Sequence, residues 1–117
     1  MTLSVYGMNG CTTVRKAQKW LDEHGVEHDY YRYEKLDNLA DTLDALIDAS
    51  DLTQVLNPAS QAFRKLEDSA QQTLLSNRAA AVQAMAENPR LAKRPIAFDG
   101  SRVLSGFNEA QWSEALL

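Results

Sequence analysis

The chain carries one cysteine, Cys11, in the run Gly7-Met8-Asn9-Gly10-Cys11-Thr12-Thr13-Val14-Arg15-Lys16. A thiol reacts as its thiolate, so the first question is what stabilises negative charge at position 11. Leu3, Val5 and Tyr6 before it read as a short strand, and Val14, Ala17, Trp20 and Leu21 after it recur at helical spacing. Cys11 therefore falls where a strand meets a helix, with Thr12 or Thr13 as the expected cap. The free N–H groups and macrodipole of a helix start favour an anion there. Arg15 and Lys16, about a turn further on, add positive potential, and the Thr13 hydroxyl is a candidate donor to the sulfur. The plainer reading of a lone cysteine is a small buried apolar residue.

The residue three places after Cys11 is Val14, and no second cysteine exists. An intramolecular dithiol cycle is therefore impossible. Any reduction through Cys11 requires a mixed disulfide or covalent adduct that an outside thiol resolves, with glutathione the expected donor. No bound cofactor is expected. His24 and His28 flank Gly25 without a nearby cysteine or a shared helical face, so they read as surface histidines and no metal site is expected. Gly7 and Gly10 do not complete a phosphate-binding loop.

What must position Cys11 is a chain of 117 residues, a length that suits one compact domain over 1–117. Its 44% hydrophobic and 24% charged residues are ordinary for a soluble domain, and the formal charge of −4 argues against direct nucleic-acid binding. Apolar runs are too short to span a membrane. With no export leader read at the start and one unpaired thiol, the expectation is a cytoplasmic protein, a monomer.

A strand over Thr2–Tyr6, a helix stopping at Gly25, and a second strand over Val26–Tyr33 make a βαβ unit. In that second strand Tyr31 and Tyr33 share one face and Tyr30 takes the other. A helical block follows at about 37–92. It has Leu39, Leu43, Leu46 and Ile47 behind an Asn38 cap, a short connection over Leu52–Asn57, Phe63 and Leu66 facing inward, and a helix over Asn77–Glu87 burying Ala81, Val82 and Met85. The acidic residues from Asp37 to Asp51 read as a solvated face. Pro95–Phe98, an Asp99-Gly100 turn and Ser101–Ser105 predict a hairpin. Asn108 then caps a last helix carrying Ala110, Trp112, Ala115 and Leu116, with Trp20 and Trp112 packed on the sheet. The order βαβ–helical insertion–ββα predicts an α/β fold with a mixed four-stranded sheet flanked by helices.

That order is the thioredoxin-like one, and two segments narrow it. Tyr6 to Ala17 resembles the cysteine loop and helix start of the ArsC/Spx family. Asn88-Pro89-Arg90-Leu91-Ala92-Lys93-Arg94-Pro95-Ile96, continuing through Gly106-Phe107-Asn108-Glu109, is similar to the segment shared by arsenate reductase relatives and Spx regulators. Leu56-Asn57 with Phe63-Arg64-Lys65-Leu66 resembles the YffB-type subgroup. The resemblance implies a cis Arg94–Pro95 bond beside the active cysteine, with the Arg94 guanidinium near the thiolate, ready for an oxyanion or carboxylate. Arsenate reductases of this class use three arginines, of which only Arg94 matches; Pro58 and Ser105 or Gly106 stand at the others. A single screened ion pair contributes only about 1 kcal/mol, so efficient arsenate turnover is not expected. Arg64 is a substitute if its short helix folds back toward Cys11.

The resemblance implies a glutathione-dependent thiol reductase acting on a small thiol or oxyanion substrate. Cys11 is its nucleophile, Thr13 and Arg94 its supporting groups, and Arg15, Lys16, Arg64, Arg94 and Pro95 its anion-binding surroundings. The alternative it implies is a non-catalytic, Spx-like regulator that contacts RNA polymerase. A third reading is a scaffold that only binds glutathione or a small anion.

Overall fold

The computed structural model describes residues 2–117. Strand β1 (Leu3–Gly7), helix α1 (Thr12–Glu23) and strand β2 (His28–Arg32) are followed by five helical segments: α2 (Leu39–Asp48), α3 (Leu52–Val55), α4 (Gln61–Arg64), α5 (Asp68–Ser76) and α6 (Arg78–Glu87). Strands β3 (Ile96–Phe98) and β4 (Val103–Ser105) and helix α7 (Glu109–Leu116) complete the chain. The sheet order is β2-β1-β3-β4. β1 runs parallel to β2 with Gly7 opposite Arg32, and antiparallel to β3 with Tyr6 opposite Ile96. β4 pairs antiparallel with β3. This is the mixed four-stranded sheet with flanking helices that the element order predicts.

Two compact units make up the chain. One, the sheet unit, joins the residues up to Leu36 to Arg94–Leu117; the other, the helical unit, is Asp37–Lys93. In the sheet unit, strand alternation turns Leu3 and Val5 to one face, against Ala17, Trp20 and Leu21 of α1 and Trp112 of α7. Ala97 and Leu104 complete that layer. Trp20, Phe107 and Trp112 meet edge to face, with centroids 5.0–6.2 Å apart. The buried Trp112 indole N–H donates to the Gly106 carbonyl at 3.1 Å, so its one polar atom is satisfied.

Gly25 stops α1 by adopting φ +67°. Its N–H donates to Asp22 O and that of Val26 to Leu21 O, so two last-turn carbonyls are satisfied.

The helix begins one residue earlier than a Thr12 cap predicts and two earlier than a Thr13 cap: Cys11 itself is the N-cap. β2 ends at Arg32 because Tyr33–Lys35 forms a 3-10 turn. The hairpin is not a two-residue Asp-Gly turn. Asp99 to Arg102 form a four-residue loop, in which the Asp99 carboxylate accepts from the N–H groups of Ser101 and Arg102. Ser101 therefore lies in the loop, outside β4. Ala110 is exposed, while Trp112 carries the buried side of α7.

In the helical unit, Leu39, Leu43, Leu46 and Ile47 of α2 are buried, as are Ala81, Val82 and Met85 of α6. Asn38 stands at the α2 N-cap, but its side chain makes no capping bond. Leu52–Val55 is a helical turn capped by Asp51, not a plain connection. Helix α5 has no counterpart in the sequence reading, for it buries only Leu74 and leaves Leu75 exposed. The acidic face of α2 is partly tied down, since Arg78 pairs with Asp44 and Asp48 at 3.2 and 2.7 Å. Among the described residues no helix is long and apolar enough to cross a membrane.

Candidate functional site

Register brings the Cys11 loop and Arg94–Pro95 to one end of the sheet unit. β1 ends there at Gly7, β2 at Arg32 and β4 at Ser105, while the antiparallel β3 starts there at Ile96. The loop Met8–Cys11 leaves β1 at this end, and Arg94–Pro95 enters β3 at the same end. The Arg94–Pro95 peptide bond is cis. The Pro95 carbonyl accepts from the Gly106 N–H at 2.8 Å, which joins the start of β3 to the end of β4.

Cys11 is half-buried. Its carbonyl accepts the first helical bond, from Arg15 N–H at 3.1 Å, while its side chain makes no capping bond. The N–H groups of the first turn have no intrahelical acceptor and converge at the start of α1. No acidic residue occupies that first turn, so nothing there opposes an anion. Gly7 makes this junction possible: a Cβ at Gly7 would stand 2.8 Å from Val14 Cγ2 and 3.2 Å from Tyr30 Cε1. Helix α1 and the Tyr30 ring both lie against bare backbone there.

Thr13, Arg15 and Lys16 are exposed on α1. The Thr13 hydroxyl forms no hydrogen bond with the sulfur among the described residues, in contrast to the expected donor role; with Cys11 as N-cap, Thr13 is the second helical residue and points to solvent. Arg94 is half-buried, and its Nη1–H donates to Met8 Sδ at 3.1 Å. The guanidinium therefore meets the cysteine loop through Met8. Arg64 belongs to the helical unit, exposed on α4, where it lines a shallow hollow with Gln61 and Lys65.

Three tyrosines on the opposite sheet face from Trp20 stack in a row. Tyr6 lies 5.5 Å from Tyr31 and 6.2 Å from Tyr33. This is the shared face expected for Tyr31 and Tyr33. Burial pushes the Tyr33 phenol well above its ordinary range, and the Arg94 charge pulls it partly back. Burial likewise raises Tyr30, reinforced by Glu34, opposed by Arg32, and reinforced again by Cys11. The phenol of Tyr30 thus lies within electrostatic reach of the sulfur.

Met8 and Tyr30 are the neighbours of the site that sequence reasoning missed or left as plain strand residues. A loop methionine carries no pattern of its own, and only pairing of β1 with β3 brings residue 94 to it. Elsewhere, His24 Nδ1 lies 2.8 Å from Trp20 O and His28 Nδ1 lies 3.0 Å from Val26 O. No three His, Cys, Asp or Glu side chains gather as a metal site among the described residues.

A mixed sheet of this order, with a cysteine opening the first helix and a cis-proline opening the third strand, defines the thioredoxin-like class. The chain belongs to the ArsC family, whose profile matches residues 6–115. It is similar to a solved YffB protein, 32% identical, with 99% of this chain and 100% of that one covered and a TM-score of 0.85. A solved arsenate reductase (ArsC)-related protein from Brucella melitensis is 32% identical, with 100% and 97% covered and a TM-score of 0.76. A global transcriptional regulator Spx from Enterococcus faecalis is 35% identical, covering 92% of this chain and 80% of that one. The fold is arsenate reductase-like, and similarity extends to Spx regulators.

Proposed function

We propose that the chain is a glutathione-dependent thiol oxidoreductase working through Cys11 alone. The observation that carries this reading is the half-buried Cys11 at the α1 N-cap, whose side chain makes no capping bond, on a loop at the same end of the sheet where Arg94–Pro95 enters. A thiolate at Cys11 attacks the glutathionyl sulfur of a glutathionylated thiol; the new S–S bond forms on Cys11 as the old one breaks and the substrate leaves as its thiolate. Glutathione thiolate then attacks the mixed disulfide, and a substrate glutathionyl group departs as oxidised glutathione while Cys11 is regenerated. Arg94 receives a carboxylate of the glutathionyl group. The lack of a second cysteine makes the outside thiol obligatory, and such chemistry belongs in a reducing compartment.

The test is reduction of a glutathionylated thiol, coupled to consumption of glutathione. Turnover by the wild type that vanishes in Cys11→Ser supports the reading; equal rates in the two proteins would exclude it.

A second reading rests on the Spx similarity, which spans 92% of the chain. In it the protein binds a partner, RNA polymerase, without turning over a substrate. Recovery of polymerase subunits on the immobilised wild type, together with no glutathione-coupled turnover, favours this reading over the first.

A further inference from the structure

Three of the seven arginines pair with carboxylates among the described residues: Arg32 with Glu34, Arg78 with Asp44 and Asp48, Arg102 with Asp99. Arg15, Arg64 and Arg90 form no such pair and lie exposed to water. Arg94 is different. It is half-buried at the cysteine loop, forms no ion pair among the described residues, and spends an N–H on the thioether of Met8, 86 positions away. A thioether is a weak acceptor without charge. It can fix the direction of a guanidinium without cancelling its positive charge. A carboxylate in the same place would hold Arg94 more firmly but would neutralise it.

We infer that Met8 is a positioning residue: its sulfur holds the Arg94 guanidinium at the Cys11 loop with the charge left available, so that Cys11 selects disulfides bearing a carboxylate. The inference rests on the proposed thiol chemistry and adds to it the residue that sets the preference for a carboxylate-bearing substrate. Met8 acts through Arg94 and touches no reacting atom. The step in question is a simple exchange, in which Cys11 thiolate bonds to one disulfide sulfur and the other half leaves as thiolate.

The experiment compares rates of Cys11 modification by oxidised glutathione, which is anionic, and by 2-hydroxyethyl disulfide, which is neutral, at low salt and fixed pH. Intact mass reads the adduct. The ratio of the two rates isolates charge selection from general reactivity, which a purely structural role of Met8 would alter for both reagents alike. Wild type prefers the anionic reagent. In Met8→Leu the guanidinium loses its acceptor and the preference falls by about fivefold, the size of one partly screened charge contact. Met8→Glu lowers it further by neutralising Arg94. Met8→Gln supplies a neutral acceptor and restores the preference to within about twofold of wild type.

A wild-type ratio retained in Met8→Leu overturns the inference, as does a Met8→Gln ratio as low as that of Met8→Leu. Wild type that reacts with both reagents without preference overturns the inference while leaving the thiol chemistry standing. Wild type that reacts with neither removes the functional reading and this inference with it.

Discussion

The sheet unit and the helical unit hold together by different means. Segments from opposite ends of the chain meet in the sheet unit, where β1 lies between β2 and β3 and the contact of residue 94 with residue 8 closes the site. Its core is rich in aromatic rings. The helical unit is one continuous stretch, and its short helices are finished locally: Asp51, Ser60 and Asn77 each accept an N–H from the first turn they precede. The lesson is that Cys11 and Arg94 depend on long-range pairing, whereas most features of the helical unit depend on neighbours in sequence.

Substitutions can break this contrast, beginning with the largest effect. Trp112→Ala empties a fully buried site and strands the Gly106 carbonyl; a loss of about 3–5 kcal/mol is expected in urea unfolding. Gly7→Ala drives a methyl into Val14 and Tyr30, with an expected cost of about 1–3 kcal/mol. Because that strain falls at the start of α1, Gly7→Ala should also slow Cys11 alkylation, measured beside urea unfolding. For the helical unit the matched pair is Asn77→Ala and Asn38→Ala. Asn77 accepts from Ala80 N–H at 3.1 Å and Asn38 caps nothing, so the first should cost about 1 kcal/mol and the second a few tenths at most. Equal losses would contradict the assignment of the caps.

The smallest effect depends on pH. N–H groups of Arg102 and Ser101 hold the Asp99 carboxyl below its ordinary range. A depressed folded-state value means that its contribution is complete above the unfolded-state value and fades as pH falls through the folded one. Asp99→Ala should therefore cost about 1 kcal/mol at neutral pH. In thermal unfolding that difference should shrink as pH drops below about 4.

Much of the sheet unit was legible in sequence because its signals are strong. Val14, Ala17, Trp20 and Leu21 mark one face of α1, Gly25 marks its end, and the order of elements gives the mixed sheet. Helix α5 was hidden because Leu74 and Leu75 sit side by side with one buried and the other exposed, which leaves no stripe. The hairpin loop was misread because Asp99-Gly100 suits a tight turn, yet the Asp99 side chain organises a longer one. Cys11 could be picked out by its place between strand and helix, but its role as the cap could not: Thr12 and Thr13 are both better cap formers by residue type. Met8 was invisible because its partner is set by tertiary pairing alone.

The proposed function turns on whether the sulfur of Cys11 exchanges with glutathione. Intact-protein mass spectrometry, after oxidised glutathione and then after excess reduced glutathione, measures this directly. The account predicts one glutathionyl adduct per chain, located on Cys11 and removed by the second treatment. A chain that stays unmodified while folded, or an adduct that reduced glutathione leaves in place, would contradict it.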